Sequence, residues 1–198
     1  MRTLISAVCM KSNAMKIKKL IPVFLLIFIL CGCGKGEGQF PTFTYTHFAS
    51  GGTKETYTAV ILFEEANSTF TAYQVAFSSC TCRDPSANFY SVAYVELLNN
   101  KKDPDDAAVR SITFGNNMGL YGDSNPNYYI SEYTEQYMDE HFIQALVKAT
   151  KADFDAWGGY GTQIDCVDAD AVTGATVSSS NITSMLRGLF EYHTEHYY

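Results

Sequence analysis

Residues 56–63, TYTAVILF, and residues 69–77, TFTAYQVAF, decide the fold. Both stretches are rich in β-branched and aromatic side chains, which pack well on a pleated surface and lose χ1 freedom in a helix. Glu64–Ser68 between them is polar and ends on Asn67 and Ser68, so the pair predicts a β-hairpin. A second pair follows, Asn88–Leu97 (NFYSVAYVEL) and Ala107–Phe114 (AAVRSITF), separated by a polar loop that holds Pro104. Gly115–Asn127 reads as a Gly- and Asn-rich loop. From Tyr128 to about Lys148 the period changes: Tyr133, Tyr137, Phe142, Leu146 and Ala149 are spaced by 4, 5, 4 and 3, near an amphipathic helix. Gly158–Gly161 is loop, and Val177 to about His193 predicts a second helix with Ile182, Met185, Leu186, Leu189 and Phe190 on one face. Strands grouped ahead of helices predict a single α+β domain, an antiparallel β-sheet with helices packed on one side.

Charge divides the chain. Residues 1–32 hold five basic side chains and no acidic one. Residues 33–198 keep nine basic against 21 acidic groups, a net of −12 within an overall −7. So acidic a body excludes nucleic-acid binding, which needs cations against phosphates, and electrostatic docking on anionic lipid. A hydrophobic content of 46% excludes disorder.

The basic end reads as a lipoprotein signal peptide spanning residues 1–32. Lys16, Lys18 and Lys19 precede a 12-residue apolar run, Leu20–Cys31, interrupted by Pro22. That is short of the roughly 20 residues a membrane-spanning helix needs, and it matches a secretory leader. Met15 stands directly before the basic run, an alternative start that would leave residues 1–14 untranslated. Leu30-Cys31-Gly32-Cys33 resembles the bacterial lipobox, with Cys33 as the lipidated residue. Two acyl chains there would anchor the protein stably to the extracytoplasmic face of a cell membrane. Residues 33–39 then form a Gly-rich tether and residues 40–198 the domain.

After the leader and Cys33, three cysteines remain: Cys80, Cys82 and Cys166. Side chains at i and i+2 of a strand do not readily close on each other, so a bridge from Cys80 or Cys82 to Cys166 is the expectation. Cys-x-Cys alone supplies too few ligands for a metal site. His193 and His196, with Glu191 and Glu195 nearby, approach metal-ligand spacing, but their place in the last six residues predicts a solvated tail. His47 and His141 show no partner in the sequence.

The chemistry concentrates in Asp168–Ser180, DADAVTGATVSSS, just ahead of the last helix. In physical terms this is a helix start: Gly174 permits a tight turn, Thr176 or Ser178 would cap, and the first amides form a natural phosphate seat. Asp170, Thr173, Gly174, Ala175, Thr176 and Ser178 also match a longer pattern: Asp, two variable residues, Ser or Thr, Gly-Ala-Thr, one variable residue, then Ser or Thr. A chance match in such a chain is on the order of one in ten thousand. The string resembles the flavinylation motif of the FMN-binding domain family, represented by the flavin-carrying C subunit of the sodium-pumping NADH:quinone reductase and the G subunit of the Rnf complex. Weaker similarity extends over about residues 88–192, and Cys80-Thr81-Cys82 belongs to no motif of that family.

The resemblance implies an FMN joined by a phosphoester bond to Thr176, attached by a separate Mg-dependent flavin transferase that cleaves FAD. It implies that Thr173, Gly174, Ala175 and Ser178 frame that site and that Asp170 serves recognition by the transferase. The flavin ring would then need an aromatic surface, and Asn117–Gly122 and Trp157–Tyr160 are the candidates. An acidic surface reaching the ring would lower its potential by disfavouring the anionic reduced flavin. The leading expectation is therefore an exported, lipid-anchored electron carrier between membrane or extracellular redox partners, more a carrier than an enzyme with its own substrate. Two alternatives are a flavin-dependent reductase of a small substrate, using His141 or a tyrosine as acid or base, and a lipoprotein binding module in which the motif only starts a helix.

Overall fold

The computed structural model describes residues 39–79, 91–114, 135–167, 172 and 175–198. Five strands, β1 (Thr42–Phe48), β2 (Lys54–Ala66), β3 (Phe70–Phe77), β4 (Ser91–Leu98) and β5 (Val109–Phe114), lie side by side in chain order. Every pair is antiparallel. Neighbours in sequence are neighbours in space, so loop-closure entropy stays low. Both expected hairpins are present. The first is tighter than its sequence suggests, because Asn67 closes it: its Oδ1 accepts from the amides of Thr69 at 2.8 Å and Phe70 at 3.1 Å. With the reversal made by one Asx turn, Glu64–Ala66 remain in the strand.

The register stacks apolar side chains on one face. Phe43 lies opposite Ala59, Ile61 opposite Val75, Tyr73 opposite Val95, and Val95 opposite Ile112, all buried. Thr44, Thr46, Thr58 and Gln74 point the other way and are exposed. β1 is an addition to the sequence reading, although its TFTYTHF alternates in the same way, with threonine outward. The register of β2 shifts between Ile61 and Phe63, and Glu64 thereby faces Tyr73 on the core side.

The helical half follows. α1 (Glu135–Met138) continues as a π turn over Asp139–Ile143 and a 3-10 turn over Gln144–Leu146, burying Met138, Phe142, Ile143 and Leu146. The helix expected over 128–148 thus corresponds to these turns, and its residues 128–134 lie outside the described residues. The helical run ends at Leu146, Val147 is already extended (ψ 126°), and Lys148 follows in a left-handed conformation at φ 81°. The chain then pairs with the start of β5: the Lys148 amide donates to Val109 O at 2.8 Å and the Val109 amide to Ala149 O at 2.9 Å. α2 (Lys151–Ala156) starts in a capping box, Thr150 Oγ1 accepting from the Asp153 amide and Asp153 from the Thr150 amide.

α3 (Thr176–Tyr197) closes the fold and packs antiparallel along the free edge of β1. Asn181 Oδ1 accepts the Phe48 amide at 2.6 Å, and its Nδ2 donates to Phe48 O at 3.0 Å and Ser79 O at 2.9 Å. Ser184 Oγ accepts the Thr46 amide at 3.1 Å. One turn on, a Cβ at Gly188 would stand 2.6 Å from Thr44 O, so only glycine lets the helix come this close. The edge strand is therefore satisfied by helix side chains instead of another strand, which removes a site of aggregation. The predicted apolar face is buried throughout: Ile182, Met185, Leu186, Leu189 and Phe190. Phe154 of α2 packs on Phe190 with ring centroids 5.1 Å apart. The compact unit is Phe40–Tyr198. Among the described residues no helix is long and apolar enough to cross a membrane.

Candidate functional site

Thr176 is the first residue of α3 and half-buried. The capping position belongs to Ala175 (φ −130°, ψ 43°), which has no side-chain oxygen to offer. This corrects the expected cap by Thr176 or Ser178: both lie inside the first turn, and a cap must precede the first helical residue. The first helical bond runs from the Ser179 amide to Ala175 O at 2.9 Å. The first turn of the helix itself holds no acidic residue, which leaves the positive end of its dipole without a carboxylate from that turn. Val172, four residues before Thr176, is buried in the core and anchors the approach to the helix. Asp170, Thr173 and Gly174 lie outside the described residues, as do Cys33, the leader and the tether.

A glycine loop lies against this helix start. The Trp157 indole N–H donates to Thr162 O at 2.9 Å, and Thr162 Oγ1 donates to Gly159 O at 2.6 Å, so the loop is closed on itself. The Gly161 amide donates to Ser180 Oγ at 3.1 Å, docking the loop on α3. Gly161 sits at φ 71°, and a Cβ there would touch Thr176 Cγ2 at 3.5 Å. Glycine at 161 thus provides the left-handed turn and keeps one side of Thr176 clear. Of the two aromatic stretches expected near a flavin, Asn117–Gly122 lies outside the described residues. In the other, Trp157 is buried edge-on against Phe48 at 5.9 Å and Tyr160 packs on Phe48 at 5.6 Å. A groove of about 370 Å³ opens beside them between β1 and α3.

The opposite end of α3 carries a cluster that sequence reasoning missed. Tyr73 Oη lies 2.8 Å from His193 Nδ1, and His193 Nε2 lies 3.3 Å from Leu98 O. A neutral ring with its proton on Nε2 satisfies both contacts, Tyr73 donating to Nδ1. Tyr192 and Tyr197 donate to the two oxygens of Glu64 at 2.9 and 2.6 Å. Burial lowers the His193 pKa to about 4. Burial also raises Tyr73 and Tyr192 above the usual tyrosine range. Tyr197 is pushed up to about 12, first by burial and then by its bond to Glu64. These tyrosines are therefore protonated donors at neutral pH.

The expected solvated tail is overturned. The helix runs on to Tyr197, and His193 is fully buried. The missed signal was the stripe Leu189, Phe190, His193, Tyr197, which continues the apolar face at helical spacing. His196 stacks on Tyr192 at 3.9 Å and contacts Tyr192 O at 2.7 Å. His47 stacks on Tyr57 at 4.1 Å and His141 on Tyr137 at 4.3 Å, partners the sequence did not reveal. Among the described residues no group of three His, Cys, Asp or Glu side chains is placed to hold a metal. Cys166 is an exposed free thiol, which corrects the expected bridge to Cys80 or Cys82. Those two cysteines lie outside the described residues. Comparison with family models, curated proteins and solved structures gives no match to this chain.

Proposed function

We propose that the chain is an exported, lipid-anchored electron-transfer flavoprotein, with FMN bound through a phosphoester to Thr176 and lipid on Cys33. The observation that carries this reading is the six-position motif ending at the start of α3, with Thr176 as the first helical residue. The local chemistry fits such a group. Thr176 supplies the hydroxyl that a phosphate ester requires, while Ala175 and Gly161 leave little bulk around it. The first-turn amides of α3 would hold the phosphate, and that turn carries no acidic side chain.

Attachment follows a simple balance. Thr176 Oγ forms a bond to the flavin-side phosphorus of FAD, the pyrophosphate P–O bond breaks, AMP leaves, and the hydroxyl proton goes to solvent. The partner enzyme is the flavin transferase, with Asp170 assigned to its recognition, through the transferase's metal. Bound FMN supplies reversible electron storage, and the protein tunes it. A relay between redox partners needs no acid–base residue. Covalent attachment suits an exported carrier, which would otherwise lose a freely dissociating flavin.

Intact mass tests the reading. Residues 34–198 co-expressed with a flavin transferase should gain the mass of FMN less one water. Thr176→Ala should lose the adduct completely while Ser178→Ala retains it. No adduct, or one that survives Thr176→Ala, sinks the assignment.

A further inference from the structure

The groove between β1 and α3 begins at Gly158-Gly159, two residues from Gly161, where an added Cβ would stand 3.5 Å from Thr176 Cγ2. Its volume, about 370 Å³, is that of a small-molecule site. Phe48 and Trp157 border it with aromatic rings, Thr46 and Ser184 supply hydroxyls, Lys54 and Arg187 positive charge, and Glu191 one negative charge. We propose that this groove seats the isoalloxazine ring of a flavin tethered at Thr176, with Lys54 as the residue that sets its charge environment. The inference rests on the flavin reading above and adds the ring's position and the residue that tunes it.

The helix itself aims the tether. Eleven residues make close to three turns, so Thr176 and Arg187 project from nearly the same face of α3. Ser184 lies about 12 Å along the axis from Thr176, a span that a ribityl chain and the near half of the ring together cover. Thr44, Thr46 and Thr56 on its floor are exposed, while the core residues Tyr45, Phe48 and Trp157 close its inner side.

Charge then distinguishes the two cations. Arg187 is shared between Asp155 and Glu191, at 3.8 and 3.9 Å. Among the described residues no ion pair includes Lys54, and its Nζ lies 5.9 Å from the Phe48 ring centroid. A cation without a counter-charge beside the ring favours the anionic reduced flavin. With Arg187 offset by Asp155 and Glu191, Lys54 is the cation whose charge would act against the acidic body at the ring.

The test uses the flavinylated protein, with the adduct verified by mass in every sample. Lys54 is exposed, so Lys54→Gln leaves the fold intact. It should move the equilibrium about tenfold toward oxidised flavin, a fall of about 30 mV for a two-electron couple. Lys102→Gln, on the loop before β5, should leave the potential unchanged. Thr56→Trp, which fills the groove from an exposed position on β2, should expose the flavin to iodide quenching. A Lys54→Gln potential equal to that of Lys102→Gln, or unchanged quenching in Thr56→Trp, overturns the groove as the ring's seat. Either result leaves attachment at Thr176 standing, whereas absence of the adduct overturns both.

Discussion

At its C-terminal end α3 buries a histidine within a hydrogen-bonded cluster, Tyr73 to His193 and Tyr192 and Tyr197 to Glu64. At its N-terminal end the same helix starts on an alanine, with a half-buried threonine and a glycine loop beside it. The difference teaches where chemistry fits. A buried polar network is costly to disturb, because any partner removed leaves another unsatisfied in a medium of low dielectric. A helix start that offers backbone donors and a hydroxyl is suited to hold an anion. The C-terminal end therefore reads as structure, and the N-terminal end is where the proposed modification would fall.

Asn181 stands between the two ends, and its loss is the largest expected effect. Asn181→Leu strands the Phe48 amide and carbonyl and the Ser79 carbonyl, so it should cost about 3–5 kcal/mol of stability by chemical denaturation. A loss under 1 kcal/mol would show that the seam between α3 and β1 does not hold the helix.

Acid tests the C-terminal end. His193 has a folded pKa of about 4 against 6.5 in the free side chain, so the folded state holds fewer protons between those values. Its contribution is intact above pH 6.5 and is lost as pH falls toward 4, on the order of 3 kcal/mol. Buried His47, also lowered by desolvation, adds in the same direction. Stability measured from pH 7 to 4 should fall steeply in the native chain and less so in His193→Gln. Equal slopes would break the comparison.

The smallest effect belongs to the N-terminal end. Gly161→Ala should cost about 1 kcal/mol, the strain of a left-handed backbone, since its Cβ meets Thr176 only in ordinary contact. The sharper readout is the FMN adduct, whose yield should drop in Gly161→Ala and stay unchanged in Tyr197→Phe at the far end. The reverse pattern would assign the two ends the wrong roles.

Much of the fold was legible because its determinants are local. β-branched and aromatic richness marked β2 to β5, and β1 carries the same signal in TFTYTHF, with threonines alternating outward. Helical spacing marked α3 and its buried face. The π turn after α1 was not legible, because it depends on how Phe142, Ile143 and Leu146 fill the core. The bulge that turns Glu64 inward was hidden too, since no residue type announces it. In the candidate site, Thr176 stood out through the spacing of its motif. Lys54 and Arg187 lie 133 positions apart, and only the antiparallel run of α3 along β1 brings them to one groove.

The sequence by itself determined an α+β domain with an acidic composition after a basic N-terminal segment, and the hydroxyl at the head of its last helix, because composition, period and motif spacing are written along the chain. Only the tertiary structure decided that His193 is buried and neutral, that Cys166 is a free thiol, and that a cation faces a groove beside Thr176. Burial and charge at a site are sums over residues distant in sequence, and they exist only once the chain has closed on itself.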